Sequence, residues 1–183
     1  MIVYKDVETN DNLLMYYSYR LYGYLQSSLK YYDIFSQFEA TQIMPNLYLG
    51  NINSCYDKKE LEKRNIKKVI SVIAGFIPPY PDEFEYVVIN AMDSLNTKLE
   101  ESFDLACDEI TKSLDNEDSI LVHCVAGRSR SCSIILAYLM REYGMKIDDG
   151  LKLVKMKRPI VEPNAEFLKQ LKNYEKKSSN QKE

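Results

Sequence analysis

The sequence predicts an α/β domain with a mixed, mostly parallel central sheet flanked by helices. Three observations predict it. Short apolar runs alternate with amphipathic helical runs along the chain. One apolar run, Ser119-Ile-Leu-Val122, passes through the tight stretch His123-Cys-Val-Ala-Gly-Arg-Ser-Arg-Ser131 directly into the helix-like run Ile134 to Met140. The chain of 183 residues, 45% of them apolar, is also long enough to bury one real core and make one domain.

The elements follow in order. Between Leu13 and Phe38 the chain carries Tyr16, Tyr17, Tyr19, Tyr22, Tyr24, Tyr31 and Tyr32. Leu14, Tyr17, Leu21, Tyr24, Leu25 and Tyr32 fall on one side of a helix, with Gly23 as a weak point, so residues 1–42 are expected to form a Tyr-rich helical extension. Such a stripe either packs on the outside of the domain or offers rigid aromatics to a partner or a second copy of the chain. Phe84-Glu-Tyr-Val-Val-Ile-Asn-Ala-Met92 reads as a buried strand, with Asp93 directly after it. Leu99, Phe103, Ala106, Cys107, Ile110 and Leu114, at three-to-four spacing, read as the apolar face of the next helix. The end, residues 176–183, is polar and is expected to fray.

The loop between the Ser119 strand and the following helix carries the chemistry. A strand–loop–helix junction points successive backbone N–H groups inward and adds the positive end of a helix, which together seat a tetrahedral dianion. Cys124 stands at its base. The same field stabilises a thiolate, and cysteines in such positions have pKa values lowered to roughly 3.5 to 7.5. Arg130 follows far enough along for the curling loop to bring its guanidinium back over the same centre, where a planar fork holds two oxygens as Lys cannot. Gly127, mid-loop, suits a sharp curvature that a Cβ would oppose. Ser131 has a hydroxyl able to donate to the sulfur.

Cysteine, five residues, arginine and a hydroxyl residue resembles the signature of the cysteine-based protein tyrosine phosphatase superfamily. Its surroundings resemble the dual-specificity protein phosphatase branch. The resemblance implies Cys124 as nucleophile and Arg130 as the grip on the transferring group, with Ser131 steadying the sulfur as it leaves. Val125, Ala126, Gly127, Arg128 and Ser129 form the substrate-binding loop. His123, the one histidine of the chain, orients the loop and helps set the cysteine pKa without acting as the acid. Asp93, in the context where that family carries its general acid and 31 residues before Cys124, is expected to protonate the leaving oxygen. Asp82, Asp104 and Asp108 are weaker alternatives.

The resemblance covers residues 43–175 as a catalytic domain. Pro45-Asn-Leu-Tyr-Leu-Gly50 is similar to that family's first strand, Lys59 to Arg64 to its first helix and Lys67 to Ile73 to its next parallel strand. Ile147 to Lys157 and Arg158 to Leu171 are similar to the closing helices, with Asn164 as an N-cap. The implied activity is hydrolysis of phosphotyrosine and of phosphoserine and phosphothreonine in phosphoprotein substrates, through a cysteinyl-phosphate and with no cofactor or metal. The longer loop that deepens the pocket in tyrosine-specific members has no room here. Arg128 departs from the family, which more often has an apolar residue there; it either serves a second phosphate or an acidic substrate, or points to solvent. A phosphoinositide or RNA phosphatase would be expected to add Lys to the loop. A phospho-binding scaffold with little turnover is disfavoured by having Cys124, Arg130 and Asp93 together.

Composition bounds the partners. Lys plus Arg is 24, Asp plus Glu is 27, and the net charge of −3 makes a poor nucleic-acid binder. Cys55, Cys107, Cys124 and Cys132 show no metal-binding spacing, and a required free thiolate suggests a reducing, intracellular compartment, cytoplasmic or nuclear. No membrane segment, signal start or lipidation motif is read in the chain.

Overall fold

The computed structural model describes residues 1–9, 13, 14, 17, 18, 20, 21, 23–25 and 38–180. Its strands are β1 (Ile2–Asp6), β2 (Ala40–Met44), β3 (Leu47–Gly50), β4 (Ile66–Val72), β5 (Glu85–Asn90) and β6 (Ser119–His123). Beyond residue 38 the helices are α1 (Lys58–Lys63), α2 (Phe103–Asp115), α3 (Arg130–Tyr143), α4 (Ile147–Lys157) and α5 (Ala165–Asn180), with 3-10 turns at Ile52–Cys55 and Leu99–Ser102.

The sheet order is β1-β5-β4-β6-β3-β2, parallel throughout except for the antiparallel β2–β3 hairpin. The central strands explain their own placement. In β4 and β6 apolar residues occupy both parities, and Val69, Ile70, Val72, Ile120, Leu121 and Val122 are all fully buried. Strands that are apolar on both faces belong in a parallel sheet covered by helices. The helix α3 packs against α2, α4 and α5 as well as the sheet, and is buried from Arg130 through Met140. Among the described residues no helix is long and apolar enough to cross a membrane.

Register brings the functional ends together. Gly50 at the end of β3, His123 at the end of β6 and Ser71 near the end of β4 are neighbours across the sheet, and Val72 of β4 pairs with Ile89 of β5. The segments that follow all four strands therefore gather along one carboxyl edge, where open α/β sheets place their ligands.

The N-terminal region departs from the expected helical extension. Ile2–Asp6 is an edge strand running parallel to β5, and the expected boundary at residue 42 falls inside β2. Residues 13, 14, 17, 18, 20, 21 and 23–25 are helical, while Tyr16, Tyr19, Tyr22, Tyr31 and Tyr32 lie outside the described residues. The stripe of Leu14, Tyr17, Leu21, Tyr24 and Leu25 is exposed. Contact runs instead through Gly23, where an added Cβ would meet the Ala74 carbonyl oxygen at 1.8 Å. The weak point of the helical pattern is thus a point of close approach to the domain. At the other end α5 continues through residues 176–180.

Candidate active site

Residues 124–129 join β6 to α3, and their backbone is turned by outside donors. The carbonyl oxygen of Val125 accepts from Ile52 N–H at 3.1 Å, and that of Arg128 accepts from Glu162 N–H at 2.8 Å. Those of Ala126 and Gly127 accept from Arg158, Nη2 at 3.4 Å and Nε at 2.9 Å. With four successive carbonyls facing outward, the N–H groups between them face the concave side. Gly127 has a φ of 65°. A Cβ there would lie 2.5 Å from the Gly50 carbonyl oxygen and 2.8 Å from Arg158 Nη2, so both conformation and space require glycine.

Cys124 lies at the centre of that curve, almost fully buried. Its sulfur accepts from Gly127 N–H and from Ser131 Oγ, each at 3.2 Å. Burial alone pushes a thiol up, but the Arg130 charge, the Ser131 hydroxyl and the backbone of Ser131 and Arg128 outweigh it, and the Cys124 pKa is lowered. The other three cysteines are free and buried as well. There burial outweighs the lowering contacts, pushing Cys107 up to about 12 despite Arg141 and Tyr174, and Cys55 and Cys132 also upward.

Arg130 is buried and donates Nη1 to the Ala91 carbonyl at 3.1 Å. Its Nε has no hydrogen-bond acceptor among the described residues, which leaves a buried donor for an oxygen of the substrate. Nε lies 3.6 Å from Asp93 Oδ2. A cavity of about 240 Å³ opens over the loop, with Ala74, Met92 and Gly23 in its walls beside Val125, Ala126 and Arg130.

His123 is fully buried between strands, with Nε2 2.8 Å from Ser71 Oγ and its ring edge-on to Phe76. Nδ1 has no partner in hydrogen-bond geometry among the described residues. Burial, opposed in part by a backbone hydrogen bond at Cys124 and aided by the Arg130 charge, lowers its pKa to about 3. A neutral ring at the end of β6 thus supports the loop from below.

The structure brings Cys124, Arg130, Ser131, Asp93, His123 and the loop residues to one place. It turns two side chains away from an incoming phosphate. Arg128 is exposed and ion-paired with Glu162, and Ser129 donates its hydroxyl to Asp93 at 2.8 Å. The alternative acids have other partners: Asp104 accepts from Tyr174 Oη at 2.6 Å, and Asp108 pairs with Arg141 at 2.8 Å. Asp82 stands exposed in a turn. Sequence reading missed Arg158, which also pairs with Glu39 at 2.8 Å. The available signal was an Arg-Pro pair closing a helix, where a buried cation needs a reason.

This is an α/β protein whose sheet edge is built to hold a tetrahedral oxyanion over an acidified cysteine. Residues 47–177 match the model of the family described as dual specificity phosphatase, catalytic domain. Dual specificity protein phosphatase 1 of Arabidopsis thaliana is 40% identical over 134 residues, covering 73% of this chain and 68% of the relative. The crystal structure of human DUSP28 superposes with a TM-score of 0.74 at 26% identity, over 77% of this chain and 99% of that one. That of the human tyrosine phosphatase-like serine/threonine/tyrosine-interacting protein superposes equally well, with a TM-score of 0.74 at 31% identity, over 76% and 97%. The chain belongs to the dual specificity phosphatase family and is a phosphatase.

Proposed function

We propose that this chain removes phosphate from phosphotyrosine, phosphoserine and phosphothreonine of proteins through a cysteinyl-phosphate intermediate. The observation that carries the reading is the convergence on one sulfur: Gly127 N–H and Ser131 Oγ donate to Cys124 Sγ at 3.2 Å, beneath Arg130 and opposite Asp93. The Cys124 thiolate attacks phosphorus in line, and the bond from phosphorus to the substrate oxygen breaks. Loop N–H groups and Arg130 hold the equatorial oxygens where charge spreads in the transition state. Asp93 gives its proton to the departing oxygen. It then takes a proton from the water that attacks the cysteinyl-phosphate. The S–P bond breaks, inorganic phosphate leaves, and the Ser131 hydroxyl steadies the returning thiolate.

The test is a panel of phosphotyrosine, phosphothreonine and phosphoserine peptides, a phosphoinositide and an RNA 5′-triphosphate, with wild-type protein beside Cys124→Ser. Peptide turnover that falls to background in Cys124→Ser is the expected result. Turnover confined to the lipid or the RNA would move the chain to those substrates. Phosphopeptide binding without turnover by the wild type would make it a scaffold.

A further inference from the structure

With Asp93 ionised, and so an acceptor only, the hydrogen bonds around it have one consistent set of directions. Asn164 Oδ1 accepts from Phe167 N–H at 2.9 Å, as the N-cap of α5, so the other end of its side chain is the amide nitrogen. That Nδ2 donates to Asp93 Oδ1 at 2.9 Å. Flipping the amide would set NH₂ against N–H and oxygen against carboxylate. Ser129 Oγ accepts from Asn164 N–H at 3.2 Å, so its single proton goes to Asp93 Oδ1, at 2.8 Å. One carboxylate oxygen therefore has two donors from fixed partners. The other, Oδ2, faces Arg130 Nε at 3.6 Å, on the side of the loop.

We propose that Ser129 and Asn164 are positioning residues that hold Asp93 by Oδ1 and so assign the transferable proton to Oδ2. A proton on Oδ1 would have to displace a donor, whereas one on Oδ2 displaces none. Oδ2 is also the oxygen beside the guanidinium that grips the phosphoryl group, and so the one near the leaving oxygen. Without the two donors the carboxyl would rotate over the broad χ2 range of an Asp. The same helix holds the loop that carries Asp93 a second time: Gln170 accepts from Glu100 N–H at 3.0 Å and donates to the Thr97 carbonyl at 2.8 Å. The start of α5 is thus both a helix cap and the seat of the acid. This inference rests on the proposed phosphatase chemistry.

Asn164→Ser separates the two duties, because Ser also caps a helix but is too short to donate to Asp93. Turnover is measured on p-nitrophenyl phosphate, whose leaving group needs little protonation, and on a phosphothreonine peptide, whose leaving group needs it. The peptide kcat should fall about tenfold or more, a fraction of the roughly 10² to 10⁴ that a positioned acid contributes, and p-nitrophenyl phosphate less than about threefold. Ser129→Ala should repeat the pattern, Ser129→Thr should restore it, and neither Asn164→Ser nor Ser129→Ala should slow Asp93→Asn further. Equal losses on the two substrates, or further loss in the Asp93→Asn background, would overturn the proposal while leaving the phosphatase reading intact. A wild-type protein inactive on both substrates would overturn that reading and this inference with it.

Discussion

Acid should unfold this protein through His123 before it unfolds it through the carboxylates, and the size of the effect can be worked out. The folded pKa of His123 is about 3 against an ordinary 6.5. The fold thus disfavours the imidazolium, and the unfolded chain takes up the proton first. Stability from this group is fully present above pH 6.5, drains as pH falls below it, and stops draining near 3. At about 1.36 kcal/mol per unit, acidification from pH 7 to 5 removes about 2 kcal/mol. With a urea slope of about 2 kcal/mol/M, the midpoint moves down by about 1 M. Because the lowered Cys124 thiol is itself linked to pH, the comparison is best made in Cys124→Ser, with and without His123→Gln, by urea denaturation at pH 7, 6 and 5. Parallel loss of stability in the two proteins would refute a buried neutral His123.

Alkylation should single out one cysteine. At pH 6.5 a small haloacetamide is expected to modify Cys124, whose pKa is lowered, and to spare Cys55, Cys107 and Cys132, which burial pushes up; peptide mapping reads the result, and Arg130→Leu should slow it. Gly23→Ala puts a Cβ 1.8 Å from the Ala74 carbonyl oxygen, so the helical segment must lift from the pocket wall. Steady-state kinetics on a phosphotyrosine peptide should give a KM changed severalfold with kcat within about twofold, and unchanged values of both would mean that the wall does not meet substrate.

The strand, loop and helix around Cys124 were legible because their signals are local: an apolar run, a spacing fixed by one curling loop and a second apolar run. The Asn164 cap was legible for the same reason, since a cap acts within its own first turn. What escaped depends on distant partners. The strand Ile2–Asp6 pairs with Tyr86–Asn90, and its β-favouring run Ile2-Val3-Tyr4 is too short to show on its own which strand it would pair with. Ser129 reads as one more loop residue until the fold brings Asp93 to it. Arg158 is a cation whose acceptors, Ala126, Gly127 and Glu39, lie far away in sequence.

Those distant contacts also divide the labour of holding the site. The cysteine loop is fixed from outside by Arg158, which is tied to Glu39 and, through Nη1, to Thr41 at 3.4 Å. The acid loop is held from both ends of the chain. On one side α5 reaches it through Asn164 and Gln170. On the other, Lys98 N–H donates to the Glu8 carbonyl at 2.9 Å, and Asn90, just before the acid loop, donates to Asp6 Oδ1 at 2.8 Å and accepts from Gly75 N–H at 3.1 Å. Residues 6, 8, 39 and 41 all precede the family match at residue 47. The matched stretch therefore contains every group that the proposed chemistry uses, while part of what keeps the proposed nucleophile and acid in register lies before it. Because misplacement of about 1 Å can cost on the order of 10² in rate, residues 6, 8, 39 and 41 belong to the catalytic unit in the physical sense even though the proposed chemistry uses none of them.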